Sequence, residues 1–157
     1  MTRLSFLVLL LAGMANFVPT ASPAQQPGTT VSQQLNQSMI AAVTGAALQF
    51  MAPRTLKPIP LPQMALWGLR GLTVLDARLL PELYPDDRGK KQSLRLSVPG
   101  RVLLAVPAPA DADPAAWGDA VGQVVRAAWD ASEPMRQAGT SGILSSFFDE
   151  LFGSVLI

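Results

Sequence analysis

Leu94-Arg95-Leu96-Ser97-Val98-Pro99-Gly100-Arg101-Val102-Leu103-Leu104-Ala105-Val106 is the stretch on which the architecture turns. Leu94, Leu96 and Val98 alternate with Arg95 and Ser97, the two-residue period of a strand with one buried face. Val102 to Val106 is a second apolar run, and Pro99-Gly100 between the two carries turn chemistry. A β-hairpin near 93–106 is therefore expected. Upstream, Pro81 and Pro85 and the charged run Asp86-Asp87-Arg88-Gly89-Lys90-Lys91 read as turns and as the tip of a loop feeding the first strand. As a metal site that loop would offer only Asp86 and Asp87 beside two lysines, too few oxygen donors for a hard cation.

On both sides of the hairpin the period changes to that of helices. Asp113-Pro114 is a helix start, with aspartate as cap and proline at the first helical position. Trp117, Val121, Val124, Val125, Ala128 and Trp129 then recur at helical spacing, with Asp119, Gln123, Arg126 and Asp130 on the other side. A helix over 114–131 is expected, its two tryptophans about 3.3 turns apart and turned toward one core rather than forming a sugar-stacking platform. Pro134 and Gly139 interrupt the helical pattern beyond it. A last helix over 141–152, capped by Thr140 or Ser141, carries Ile143, Leu144, Phe147, Phe148, Leu151 and Phe152.

Before the hairpin, Val31, Leu35, Met39, Val43, Ala46 and Phe50 form a stripe at steps of four and three, predicting a core-facing helix over 31–52 that Thr30 caps and Pro53 ends. It lacks the basic polar face of a helix lying on a membrane. Pro53, Pro58, Pro60 and Pro62 make 53–62 an extended connector. Met64, Leu66, Trp67, Leu69, Leu72, Val74 and Leu75 surround a helix over 63–75 on most of its circumference. Gly68 and Gly71 in that helix either let another helix approach closely or weaken it by about 1 kcal/mol each. The fold class is thus α+β, mainly helical, with about four helices and one hairpin in a small domain spanning 31–152.

The N-terminus is of another kind. Arg3 precedes the apolar run Leu4 to Met14, and Ser22-Pro23-Ala24 supplies small residues where a signal peptidase cuts. Residues 1–24 are expected to be a signal peptide and 25–30, with Pro27-Gly28, a flexible tether. The other reading, an uncleaved anchor, meets the difficulty that Leu4 to Val18 falls short of the roughly 20 residues a membrane-spanning helix needs. No stable membrane span is expected after cleavage. Losing Arg3 leaves a neutral mature chain, and an exported chain without cysteine fits a bacterial periplasm or cell envelope.

Composition removes several chemistries. The 157 residues contain no His and no Cys, which excludes dyads built on either, zinc held by imidazole or thiolate, iron–sulfur clusters and disulfides. A net charge of +1 argues against a nucleic-acid partner. No catalytic, cofactor-binding or metal-binding residue is assigned, and no cofactor is expected. The only lysines, Lys57, Lys90 and Lys91, lie in the proline connector and the charged loop, where nothing would desolvate an amine enough to make it a base. Asp149 and Glu150 are neighbours on a helix and diverge by about 100°, so they do not converge on one substrate.

The chain closes on Leu151-Phe152-Gly153-Ser154-Val155-Leu156-Ile157. The apolar tail 153–157 either docks into the domain or marks a truncation. Phe147, Phe148, Leu151 and Phe152 cannot all enter one small core and are the candidate interface, exposed in part when the chain is alone.

Two segments carry a family resemblance. Trp67-Gly68-Leu69-Arg70-Gly71-Leu72-Thr73-Val74-Leu75-Asp76 and Gly142-Ile143-Leu144-Ser145-Ser146-Phe147-Phe148-Asp149-Glu150-Leu151-Phe152 resemble helices in the N-terminal region of exported bacterial carboxyl-terminal processing peptidases, the tail-specific serine proteases. The resemblance implies a helical region followed by an Asp-Pro turn, a PDZ domain and a serine–lysine protease core, none of which follows Phe152 here. It therefore implies a non-catalytic interaction or scaffold module, a truncated family member without proteolytic activity of its own. Its partner would be a following PDZ/peptidase domain or another protein chain. The alternatives are an exported carrier of a hydrophobic ligand and a small carboxylate-based hydrolase.

Overall fold

Residues 34–155 are described by the structure, a computed structural model. The expected signal peptide at 1–24, the expected tether at 25–30, the expected Thr30 cap, Val31 and the final Leu156-Ile157 lie outside the described residues. The hairpin forms where the period-two pattern places it. Strands β2 (Gln92–Val98) and β3 (Arg101–Pro107) pair antiparallel, and Gly100 turns between them at φ +78°, a conformation in which a Cβ would be strained. A register shift after Leu96 leaves Leu103 as an extra residue in β3, a bulge that bends the strand.

A third strand corrects the reading of 80–85 as turns. β1 (Leu80–Pro85) pairs antiparallel with β2, giving the sheet order β1-β2-β3. Proline is tolerated here because β1 is an edge strand, where an amide facing away from the ladder has no bond to lose. The register sets Pro81 and Leu83 beside Leu96 and Leu94. Leu94 and Leu96 are fully buried, and this face of the sheet packs on helix α3 (Pro114–Ala131) and, through β1, on α2 (Leu61–Leu75).

The first helix, α1 (Gln37–Met51), starts later than expected: residues 34–36 are not helical, and Asn36 is the cap, its side chain accepting from the Met39 amide at 3.1 Å. Its core face is also not the expected stripe. Ile40, Thr44, Gly45 and Leu48 are buried, whereas Met39, Val43 and Phe50 are exposed. Thr44 is accommodated because its hydroxyl donates to the Ile40 carbonyl at 2.7 Å. A 3₁₀ turn at Ala52–Arg54 follows, and α2 begins at Leu61, two residues inside the expected connector. Pro62 sits in the first turn of α2, where an amide has no helical acceptor.

Helix α3 has the expected bounds, and Asp113 caps it by accepting from the Ala116 amide at 3.0 Å. Trp117 is fully buried and Trp129 nearly so, and the Trp117 indole N–H donates to the Ala110 carbonyl at 3.1 Å. The last helix, α4, runs Glu133–Val155 with one break at Gly139, whose φ of 70° is not helical. The segment beyond the break matches the expected last helix, except that Gly153 to Val155 continue it rather than forming a tail. α1 packs chiefly on α3 and α2 chiefly on α4. Among the described residues, no helix is long and apolar enough to cross a membrane.

Candidate interaction surface

The pairing of α2 with α4 decides which aromatic residues remain available. A methyl group added at Gly68 would clash with the Phe147 ring, and one at Gly71 would clash with the Ser146 carbonyl. The two glycines thus permit close approach, and the Ser146 hydroxyl closes the contact by donating to the Gly71 carbonyl at 2.7 Å. Phe147 and Leu151 are consequently sealed in the core, at 1% and 0% exposure. For these two residues the interface expectation is corrected: the glycines of α2 make a slot that a helix end with aromatic residues fills.

Phe148 and Phe152 fare differently. They lie one turn apart on α4, with rings stacked at 5.6 Å and 20° between planes. Phe148 is half-buried, touching Phe147 edge-on at 5.4 Å, and Phe152 is 46% exposed. The pair forms an aromatic ledge whose base is anchored and whose tip meets solvent. A second apolar surface lies on the outer side of α1, where Met39, Val43 and Phe50 are exposed and the Arg54 guanidinium sits 3.8 Å above the Phe50 ring. The periodicity of that stripe is legible in sequence. Its assignment to the core was not, because a competing set on the adjoining side of the helix, Ile40, Thr44 and Leu48, is what α1 buries.

The most strongly perturbed titratable group is Asp76, at the C-terminal end of α2. Its carboxylate accepts from Arg78 Nε and Nη2 at 3.0 and 2.8 Å, from the Ser132 hydroxyl at 2.7 Å and from the Arg78 amide at 3.1 Å. The Arg78 guanidinium, then the Ser132 hydroxyl, hold its pKa well below the usual carboxylate range and outweigh burial, which acts the other way. Ser132 also accepts from the Met135 amide at 3.3 Å and so caps α4. With both carboxylate oxygens engaged by Arg78 and Ser132, the cluster reads as a clasp between helix ends.

Other candidate polar sites stay apart. Burial works to raise the Asp86 carboxyl, and backbone hydrogen bonds from the 88–91 turn outweigh it and lower the pKa. Its carboxylate accepts from the Arg88 and Lys90 amides at 3.1 and 3.0 Å, so the group serves the turn. Lys57, Lys90 and Lys91 are all exposed, and among the described residues no three Asp or Glu gather as a metal site. The surface grooves, of about 240 to 450 Å³, are open to solvent. In comparisons with protein-family models, curated proteins and solved structures, nothing matches this chain.

Proposed function

We propose that this chain is a non-catalytic helical interaction domain of an exported bacterial protein, of the kind found at the N-terminus of carboxyl-terminal processing peptidases, acting in the periplasm or cell envelope. The observation that carries this reading is the Phe148–Phe152 ledge. One side of α4 is locked onto α2 through Gly68 and Gly71, while the stacked pair beside it remains open. Partly exposed aromatic rings on a rigid helix are the usual anchors of protein–protein contacts. Further support is that the two segments carrying the family resemblance, around Gly68 and around Phe147, pack against one another. The partner is a following PDZ/peptidase domain or a separate chain.

A photo-crosslinking residue placed at Phe152 tests this in the exported protein. A discrete adduct with an envelope protein or a peptidase domain is expected at Phe152, and none from the same probe at Gln137, exposed on the first half of α4. No adduct at Phe152, or equal adducts at both positions, would reject the reading.

A further inference from the structure

We propose that the outer face of α1 is the contact between two copies of this chain, which pair their α1 helices antiparallel about a two-fold axis. Met39, Val43, Ala46 and Phe50 follow one another at steps of four, three and four, the spacing of a coiled-coil seam. Met39, Val43 and Phe50 are 39%, 38% and 61% exposed, and Ala46 is exposed with them. Among the described residues only the Arg54 guanidinium, 3.8 Å above the Phe50 ring, lies over this line, and Phe50 stays 61% exposed beside it.

The occupant follows from three properties of the seam. Its spacing is the same read in either direction, so a helix running the opposite way presents the same steps. Reversal about an axis between Thr44 and Gly45 sets Met39 against Phe50 of the second copy and Val43 against Ala46 of the second copy. The large Val43 thereby meets a small alanine, and the Met39 thioether meets an aromatic ring, a favourable contact. Secondly, no residue from Gln37 to Met51 carries a charge, so two copies of this helix meet without like-charge repulsion along the seam. Thirdly, beside the seam a groove of about 380 Å³ between α1 and α3, floored by Ala41, Ala42 and Gly45 with Asp119 at its α3 side, leaves the flank of the seam open to an approaching helix.

Size sets the strength. A seam from Met39 to Phe50 is about 17 Å long at 1.5 Å per residue, and a single helix face of that length buries much less than the roughly 800 Å² per partner of a stable complex. The dimer is therefore weak and concentration-dependent. This contact lies on a different helix from the Phe148–Phe152 ledge and stands whether or not that ledge binds a partner.

Sedimentation of the full chain from about 10 μM to about 1 mM reads the equilibrium directly, the range in which a contact of this size dissociates. Wild type should shift from monomer to dimer. Ala46→Glu and Val43→Glu should raise the dissociation constant at least tenfold, and Gln137→Glu should not. Both seam positions are exposed, so the melting temperature at low concentration should stay within a few degrees of wild type. Because the chain has no cysteine, single-cysteine variants report the register. Ala46→Cys, about 4.5 Å along the axis from its own copy, should be joined by a short bis-maleimide, and Ser38→Cys, about 20 Å from its copy, should not. Wild type that is monomeric throughout, a dimer indifferent to Ala46→Glu, or equal crosslinking at 38 and 46 would each overturn the proposal.

Discussion

Ser132 Oγ donates a 2.7 Å hydrogen bond to Asp76 Oδ2, joining the start of α4 to the end of α2 across 56 residues of chain, and both residues are buried. The bond ties the start of α4 to the end of α2, and beyond the Gly139 break the second half of α4 is held to α2 separately, by Phe147 against Gly68 and Ser146 against Gly71. Three consequences of this geometry, and one of its titration, can be measured.

Ser132→Ala removes both the hydroxyl that serves Asp76 and the cap of α4. Hydrogen bonds to charged groups contribute about 1.5–3 kcal/mol, and a lost cap about 1 kcal/mol. Because the same oxygen serves both, the effects overlap, and a loss of about 2 kcal/mol is expected from urea unfolding. A change below about 0.5 kcal/mol, the usual size at a neutral surface position, would mean that the clasp has no energetic role.

Acid should destabilise the domain through Asp76. A group whose folded pKa is depressed contributes stability that is present above its unfolded pKa, about 3.9, and lost as pH falls below it. With no histidine in the chain, side chains give little reason for the melting temperature to change between about pH 5 and 8. It should then fall below about pH 4, and Asp76→Asn should be less stable at neutral pH but show a shallower acid decline. Equal slopes for the two proteins would remove Asp76 as the cause.

Glycine-to-alanine exchanges should change sign with position. In an open helical site alanine is favoured by about 1 kcal/mol, and Gly153, with nothing near its added methyl group, should gain up to that amount. At Gly68 the methyl meets the Phe147 ring and at Gly71 the Ser146 backbone, so both should destabilise by about 1–3 kcal/mol. Gly71→Ala should cost more, since backbone yields less readily than a side chain. Thermal unfolding of the three variants suffices to check the order.

The four aromatic-patch residues should separate into two classes. Phe147→Ala opens a cavity in the core and should cost about 3–5 kcal/mol. Phe152→Ser, at a side chain that is 46% exposed, should leave the melting temperature within a few degrees and improve solubility at high concentration. A large loss of stability at Phe152 would place it with the core.

Local chemistry made much of the architecture legible. Asp113-Pro114 fixed the start of α3 because a capping carboxylate and a proline without an amide both suit a helix N-terminus. Pro99-Gly100 fixed the hairpin because its turn calls for a positive φ at residue 100. These signals act within a few residues and need no tertiary partner. β1 was not legible in the same way: its prolines speak against a strand unless the strand lies at a sheet edge, and edge position is a property of the assembled sheet.

The sequence by itself determined the fold class, both bounds of α3, the C-terminal ends of α1 and α2 to within a residue, and the uncharged character of α1, since these depend on spacing and on residue type. Only the tertiary structure decided which apolar residues are buried. Two faces of α1 were periodic enough to enter the core, and α3 took the one with Gly45, because Gly45 and Gly118 allow the two backbones to approach closely. The same contact logic sent Phe147 and Leu151 inward against Gly68 and Gly71 and left Phe148 and Phe152 at the surface. Periodicity gives a helix an apolar side, but the shape of the opposing helix chooses which residues on it can come close enough to bury.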